Sequence, residues 1–146
     1  MLIGEYEGKL TDKNRLAIPK KIRDELKGNM ILSRGYEGCL ILLDAKLWQA
    51  LEKTINVKPI LSLPVRDLKR FILGSAYEIE LDDQGRFVLP ANLKDYAKLE
   101  KDVYFIGLMD WVEIWSDSKW IEKIGILSKN ATDIAEEFLK KNGNKT

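Results

Sequence analysis

Two short segments carry the residue types that can grip an anion from a rigid turn: Asp12-Lys13-Asn14-Arg15, running on to Pro19, and Asp83-Gln84-Gly85-Arg86, running on to Pro90. An arginine fork held on the rim of a hairpin can bond a phosphate or reach O6 and N7 of guanine, and a β-ribbon fits the major groove of DNA. An Asp side chain can bond the backbone two residues on, while Asn14 and Gly85 tolerate positive φ, so each segment reads as a tight turn formed by Asp12 or Asp83. Lys13, Arg15 and Arg86 then stand on the rim. The alternative is that Arg15 and Arg86 pair with Asp12 and Asp83 and only lock the turns. Charge favours the first segment as a binding surface, because one turn Asp cannot neutralise Lys9, Lys13, Arg15, Lys20 and Lys21 together. In the second, Arg86, Lys94 and Lys98 face Glu80, Asp82, Asp83 and Asp95, which makes it the weaker surface.

Other chemistries are poorly served. The sequence has no histidine, which excludes Ser-His and Cys-His nucleophiles and His-ligated zinc. A single cysteine, Cys39, can form no internal disulfide; it reads as a small buried hydrophobe in a reducing cytoplasm. Asp82 and Asp83 with Glu78 or Glu80 form the one carboxylate cluster that could hold Mg²⁺. Neighbouring strand residues point to opposite faces, however, and no Walker-type phosphate loop is present. No enzyme, cofactor, metal or small-molecule substrate is expected. The net charge of +1 hides a polarised chain: residues 1–73 hold 14 Lys/Arg against 9 Asp/Glu, and residues 74–146 hold 10 against 14. No apolar stretch approaches the roughly 20 residues of a membrane span, and the Met1 end does not resemble a signal peptide.

The elements that must position the two turns emerge when the 146-residue chain is compared with itself. Shifted by 71 positions, Leu10, Asp12, Arg15 and Pro19 fall on Leu81, Asp83, Arg86 and Pro90, Tyr6-Glu7 falls on Tyr77-Glu78, and Ile22-Arg23-Asp24 on Leu93-Lys94-Asp95; at 72, Gly35 meets Gly107 and Trp48 meets Trp120. Blocks in one order mark an internal duplication. Each copy reads β-turn-β-α-β-β-α. Strands at Tyr6–Leu10 and Tyr77–Leu81 lead into the turns, and strands at Leu16–Ile18 and Phe87–Leu89 leave them. Pro19 and Pro90 then open short helices, Pro19–Leu26 and Pro90–Ala97. Hairpins follow at Met30–Arg34 with Cys39–Leu43 and at Val103–Leu108 with Trp111–Trp115. Asp44 and Ser116 or Asp117 are positioned to cap helices whose Trp48 and Trp120 plug the cores. The expected division is a first repeat over 1–56, a connector and linking helix over 57–73, a second repeat over 74–124, and over 125–146 a helix striped by Ala131, Ile134, Ala135 and Phe138, then a tail from Asn142.

The paired Asp and Arg-x-x-x-Pro segments, the Gly4-Glu5-Tyr6 opening, Ser33-Arg34-Gly35-Tyr36-Glu37-Gly38-Cys39-Leu40 and Glu113-Ile114-Trp115 together resemble MraZ, a family of bacterial transcriptional regulators. The resemblance covers nearly the whole chain and weakens beyond about Lys123. It implies an α+β, mainly β fold of two tandem swapped-hairpin units of the AbrB type, each forming a small β-barrel with flanking helices. It also implies a ring-shaped homo-oligomer, cytoplasmic and nucleoid-associated, that binds short direct repeats in double-stranded promoter DNA upstream of the division and cell wall gene cluster and represses its own operon. The family's DNA-facing positions fall here on Lys13, Arg15 and Arg86, with Lys9, Asn14 and Gln84 beside them. Asn14 stands where the family has glycine, and Gln84 where it often has lysine. A protein-interaction module of the antitoxin type in the same superfamily is the alternative.

Overall fold

The computed structural model describes residues 1–56 and 61–143; residues 57–60 of the expected connector and the last three of the expected tail lie outside them. Each half follows the order read from the sequence. The first contains β1 (Ile3–Lys9), β2 (Arg15–Ala17), α1 (Lys20–Glu25), β3 (Met30–Arg34), β4 (Leu40–Asp44) and α2 (Ala45–Ile55). A linking helix, α3 (Leu63–Ile72), precedes β5 (Tyr77–Ile79), β6 (Arg86–Val88), α4 (Ala91–Ala97), β7 (Asp102–Leu108), β8 (Val112–Ser116) and α5 (Asp117–Gly143). Pro19 and Pro90 stand immediately before α1 and α4, where a missing backbone donor and a fixed φ are helpful. The Asp44 carboxylate caps α2 by accepting from the Leu47 N–H at 2.9 Å.

The two halves do not fold side by side. They exchange strands, giving an antiparallel six-stranded sheet of order β1-β7-β8-β4-β3-β5 and a separate β2–β6 ribbon. In β2–β6 Leu16 faces Phe87, and in β4–β8 Ile41 faces Glu113, so the equivalent positions of the two repeats pair across an approximate twofold axis. The sheet is open, with β1 and β5 at its edges, and does not close into a barrel. Helix exceeds strand among the described residues, largely because α5 alone runs 27 residues. The body from Met1 to Ser116 is one compact unit, and α5 begins a second.

Three local differences from expectation have physical causes. The strand expected to reach Leu81 stops at Ile79, which pairs with Met30, the first residue of its neighbour β3. Gly107 pairs with Val112 as Arg34 pairs with Leu40, so Arg34 rather than Gly35 is its counterpart; the second hairpin has a loop one residue shorter. Trp120 and the Ala131–Phe138 stripe share one continuous helix through Asn142 and Gly143, since a lone Gly125 does not break it.

Both repeats feed one apolar core. Leu16, Ile18 and Ile22 from the first half meet Phe87, Leu89, Leu93 and Phe105 from the second, all essentially inaccessible to water. Trp48 belongs to a smaller cluster with Leu43, Ile55 and Ile72. Cys39 is buried as expected; its thiol donates to the Tyr36 carbonyl at 3.2 Å, and burial, followed by the nearby carboxylates of Glu113 and Glu37, pushes its pKa far up. Truncating Leu16, completely buried beneath the ribbon, should cost roughly 2–5 kcal/mol. Urea unfolding of Leu16→Ala checks this, and both turns should become more labile to hydrogen exchange together, because one ribbon carries both.

Candidate nucleic-acid interface

The ribbon is short, so its geometry depends on the turns that feed it. In the first turn the Thr11 N–H donates to the Arg15 carbonyl at 2.9 Å and the Asn14 N–H to the Thr11 carbonyl at 2.9 Å; in the second, Asp82 and Arg86 and then Gly85 and Asp82 repeat the pattern at 2.9 and 3.0 Å. Asn14 and Gly85 both sit at positive φ, 59° and 73°. A side chain at Gly85 is disfavoured twice over, since a Cβ there would also lie 2.5 Å from the Arg23 guanidinium, which would have to shift.

Each turn is fastened to the other repeat. The Leu89 N–H donates to the Asn14 carbonyl at 2.8 Å and the Ile18 N–H to the Gly85 carbonyl at 3.0 Å. Lys94 Nζ donates to Asn14 Oδ1 at 2.8 Å, while its counterpart Arg23 lies over Gly85 and donates from Nε to the Ile18 carbonyl at 2.9 Å. The Asn14 side chain is therefore a strut between its turn and the other repeat. The sequence match of Arg23 with Lys94 was the signal for these two braces.

Alternation along the ribbon places Leu16 and Phe87 inward and Arg15, Ala17, Arg86 and Val88 on the opposite, outward face. Because Arg15 pairs with Val88 and Ala17 with Arg86, the two arginines are diagonal neighbours, with Cβ atoms roughly 7 Å apart. Lys13 is exposed at the tip of the first turn and Gln84 at the tip of the second. Lys9, at the end of β1, lines a shallow hollow with Thr11, Asp12 and Lys94 and is 3.8 Å from Asp102, an exposed and weak pair. Lys20 is paired with Asp24 at 3.0 Å.

The two arginines differ in a way that neither turn Asp explains. Arg86 is locked by Asp82, not Asp83: its Nε donates to Asp82 Oδ2 at 2.9 Å, and Asp82 Oδ1 accepts from the N–H groups of Arg86 and Gln84, both at 2.9 Å. The equivalent residue in the first turn is Thr11, whose hydroxyl accepts from the Arg15 N–H at 3.0 Å but carries no charge. Arg15 has no ion pair or side-chain hydrogen bond among the described residues, and neither has Lys13 or Lys21. Asp12 and Asp83 are both exposed and hold neither arginine. The ribbon thus offers one open guanidinium beside an open ammonium, next to a second guanidinium already neutralised. Among the described residues no group of three or more His, Cys, Asp or Glu side chains could hold a metal.

A model of the family described as "MraZ protein, putative antitoxin-like" matches the chain twice in tandem, over residues 1–71 and 72–141. This chain belongs to the MraZ family. Each match contains one of the two turns, so the ribbon is where the two MraZ repeats meet. Transcriptional regulator MraZ of Clostridium beijerinckii is 43% identical over 122 residues, 84% of this chain and 86% of the relative. Those of Caldicellulosiruptor saccharolyticus and Thermoanaerobacter sp. (strain X514) are 39% and 40% identical over 138 residues, 94% of this chain and 96% of each relative. The family name denotes regulators of transcription and not enzymes.

The Asp82 lock has a pH signature. The Arg86 N–H, then the Arg86 guanidinium and the Gln84 N–H, hold its carboxyl below the ordinary 3.8. A depressed carboxylate adds stability above its unfolded pKa and loses it as pH falls through the folded value. The stability difference between the parent protein and Asp82→Asn should therefore be constant above about pH 5 and shrink below 3.8, as chemical denaturation across that range would show.

Proposed function

We propose that this chain is a DNA-binding transcriptional regulator, cytoplasmic and nucleoid-associated, whose β2–β6 ribbon meets the DNA. The observation that carries this reading is the outward face of the ribbon, where Arg15 and Lys13 are free of acidic partners among the described residues while the backbone of Thr11, Asn14 and Arg15 is held by hydrogen bonds. A guanidinium presented from so fixed a base needs no backbone ordering on binding and can bond a phosphate or a guanine edge with two parallel donors. Arg86 supports it, Gln84 and Lys9 lie at the flanks, and Asn14 acts by shaping the turn. The names of the relatives support the regulatory role.

One ribbon can make only a few phosphate contacts, each adding about 0.9 to the salt slope, so a single copy binds weakly. We infer that a ring-shaped homo-oligomer presents identical ribbons to successive direct repeats in promoter DNA, where avidity raises affinity by ~10² or more. The proposed target lies upstream of the division and cell wall gene cluster, and occupancy represses the protein's own operon.

Arg15→Ala should weaken binding to the protein's own upstream fragment by roughly tenfold or more and lower the salt slope by about 0.9 for each ribbon engaged, measured by fluorescence anisotropy across a salt series against scrambled DNA. Equal, weak binding of the parent protein to both fragments would instead favour a protein-interaction module of the antitoxin type. A second substitution probes the asymmetry of the turns. Thr11→Asp copies the Asp82 lock onto Arg15, so it should reduce DNA affinity about as much as Arg15→Ala while leaving the melting temperature unchanged or higher. A fully retained affinity in Thr11→Asp would mean that charge on Arg15 is not what the DNA reads.

A further inference from the structure

Two apolar features take no part in the ribbon. The first is a groove in the body between β4 and α2, about 390 Å³ in volume, walled by Ile41, Leu43, Leu47, Ala50, Leu51 and Trp111. Its size lies within the roughly 300–1,000 Å³ of cavities that enclose a ligand. Its charged lining residues are Asp110, Glu113 and Arg34. The second is α5. From Ser128 to Gly143 every residue is exposed, including Ile134, Phe138 and Leu139. Ala131, Ile134, Ala135 and Phe138 recur at the spacing of one helix face. That face has the composition of a buried surface and no cover.

We propose that the apolar stripe of α5 from one copy docks in the β4–α2 groove of a second copy. The inference rests on the homo-oligomer of the proposed function and gives it a contact. An amphipathic helix laid in an apolar groove anchors through residues at i, i+3, i+4 and i+7, which Ala131, Ile134, Ala135 and Phe138 supply. Ala50 is the small residue in the groove wall that lets a helix ridge approach. Charge fits at one point: Lys141 continues the stripe one turn beyond Phe138, where its exposed pairing with Glu137, at 3.5 Å, is easily exchanged for the exposed carboxylate of Asp110, while Glu113 is held by the indole N–H groups of Trp111 and Trp115 at 3.0 and 2.9 Å and Arg34 lies against the rings of Phe71 and Tyr96. Each copy has one stripe and one groove, so the contact is head-to-tail. Such a contact repeats from copy to copy and closes a ring when its rotation closes.

The test places a charge on each side of the contact, at residues exposed in a single copy. Phe138→Glu spoils the helix and Ala50→Glu the groove, and light scattering coupled to size exclusion gives the mass of each alone and of their equimolar mixture. The expected result is an oligomeric parent, two monomeric variants, and a mixture that forms one-to-one dimers through the intact helix of one variant and the intact groove of the other. An Ala50→Glu protein that still assembles while Phe138→Glu does not would mean that α5 pairs with α5, and would overturn the docking. So would a parent-like mass for both variants, which would leave the ring reading and the DNA-binding ribbon untouched. A monomeric parent would overturn the ring and the docking together. Thermal melts establish that each variant folds, and Thr54→Glu, at the exposed lip of the same groove, replaces Ala50→Glu if it does not.

Discussion

The arrangement depends on the antiparallel pairing of Arg15–Ala17 with Arg86–Val88, two three-residue strands that could not persist separately. The last carbonyl of each turn accepts from the other repeat, Asn14 from the Leu89 N–H and Gly85 from the Ile18 N–H. The inward pair Leu16 and Phe87 buries the ribbon's other face in a core built from both halves. Removing either repeat would therefore leave the other with unpaired buried backbone groups and half a hydrophobic interior, a penalty paid in several places at once. The cross-braces Lys94 and Arg23 act in the same direction, each reaching from a helix of one repeat to the turn of the other. The backbone that carries the ribbon's outward side chains is consequently held from both repeats.

Covalent duplication then permits a difference that two identical subunits could not have. The axis relating the repeats is approximate, and the residue that settles the state of each arginine sits at one pair of equivalent positions, Thr11 and Asp82. A hydroxyl satisfies the backbone of the first turn without touching the charge of Arg15; a carboxylate satisfies the second turn and neutralises Arg86 as well. As a contribution to stability an exposed pair such as Asp82–Arg86 counts for little. Its larger effect is on which cation remains available.

Much of this was legible in the sequence because it is set by local chemistry. Proline at 19 and 90 announced the starts of α1 and α4, Asn14 and Gly85 marked the positive-φ turn positions, and alternating apolar residues gave the hairpins within about a residue. Strand partners were not legible, since a period of two shows that a strand is half buried and not which neighbour covers its edge. Hence the exchange β1 with β7 and β5 with β3, and the open sheet in place of closed barrels, emerge only in three dimensions. The locking carboxylate was misplaced by one residue for a similar reason: Asp82 and Asp83 are equivalent in composition, and only the turn geometry decides which of them faces Arg86. Lys9, Lys13 and Arg15 read as one basic cluster, whereas the fold pairs Lys9 with Asp102 and leaves the other two open.

The open sheet raises a matter of its own. An unpaired strand edge is a template for joining further strands, and such joining has no natural end. Here β1 carries the exposed charges of Glu5, Glu7 and Lys9 along its length, and β5 offers only three residues, Tyr77 to Ile79, with Glu78 exposed among them. Another chain extending the sheet at β1 would have to bury or oppose that row of charges, and at β5 it would gain too few hydrogen bonds to hold. The fold thus blunts both edges of the sheet against strand addition, which leaves side-chain contacts as the route by which copies of the chain can associate.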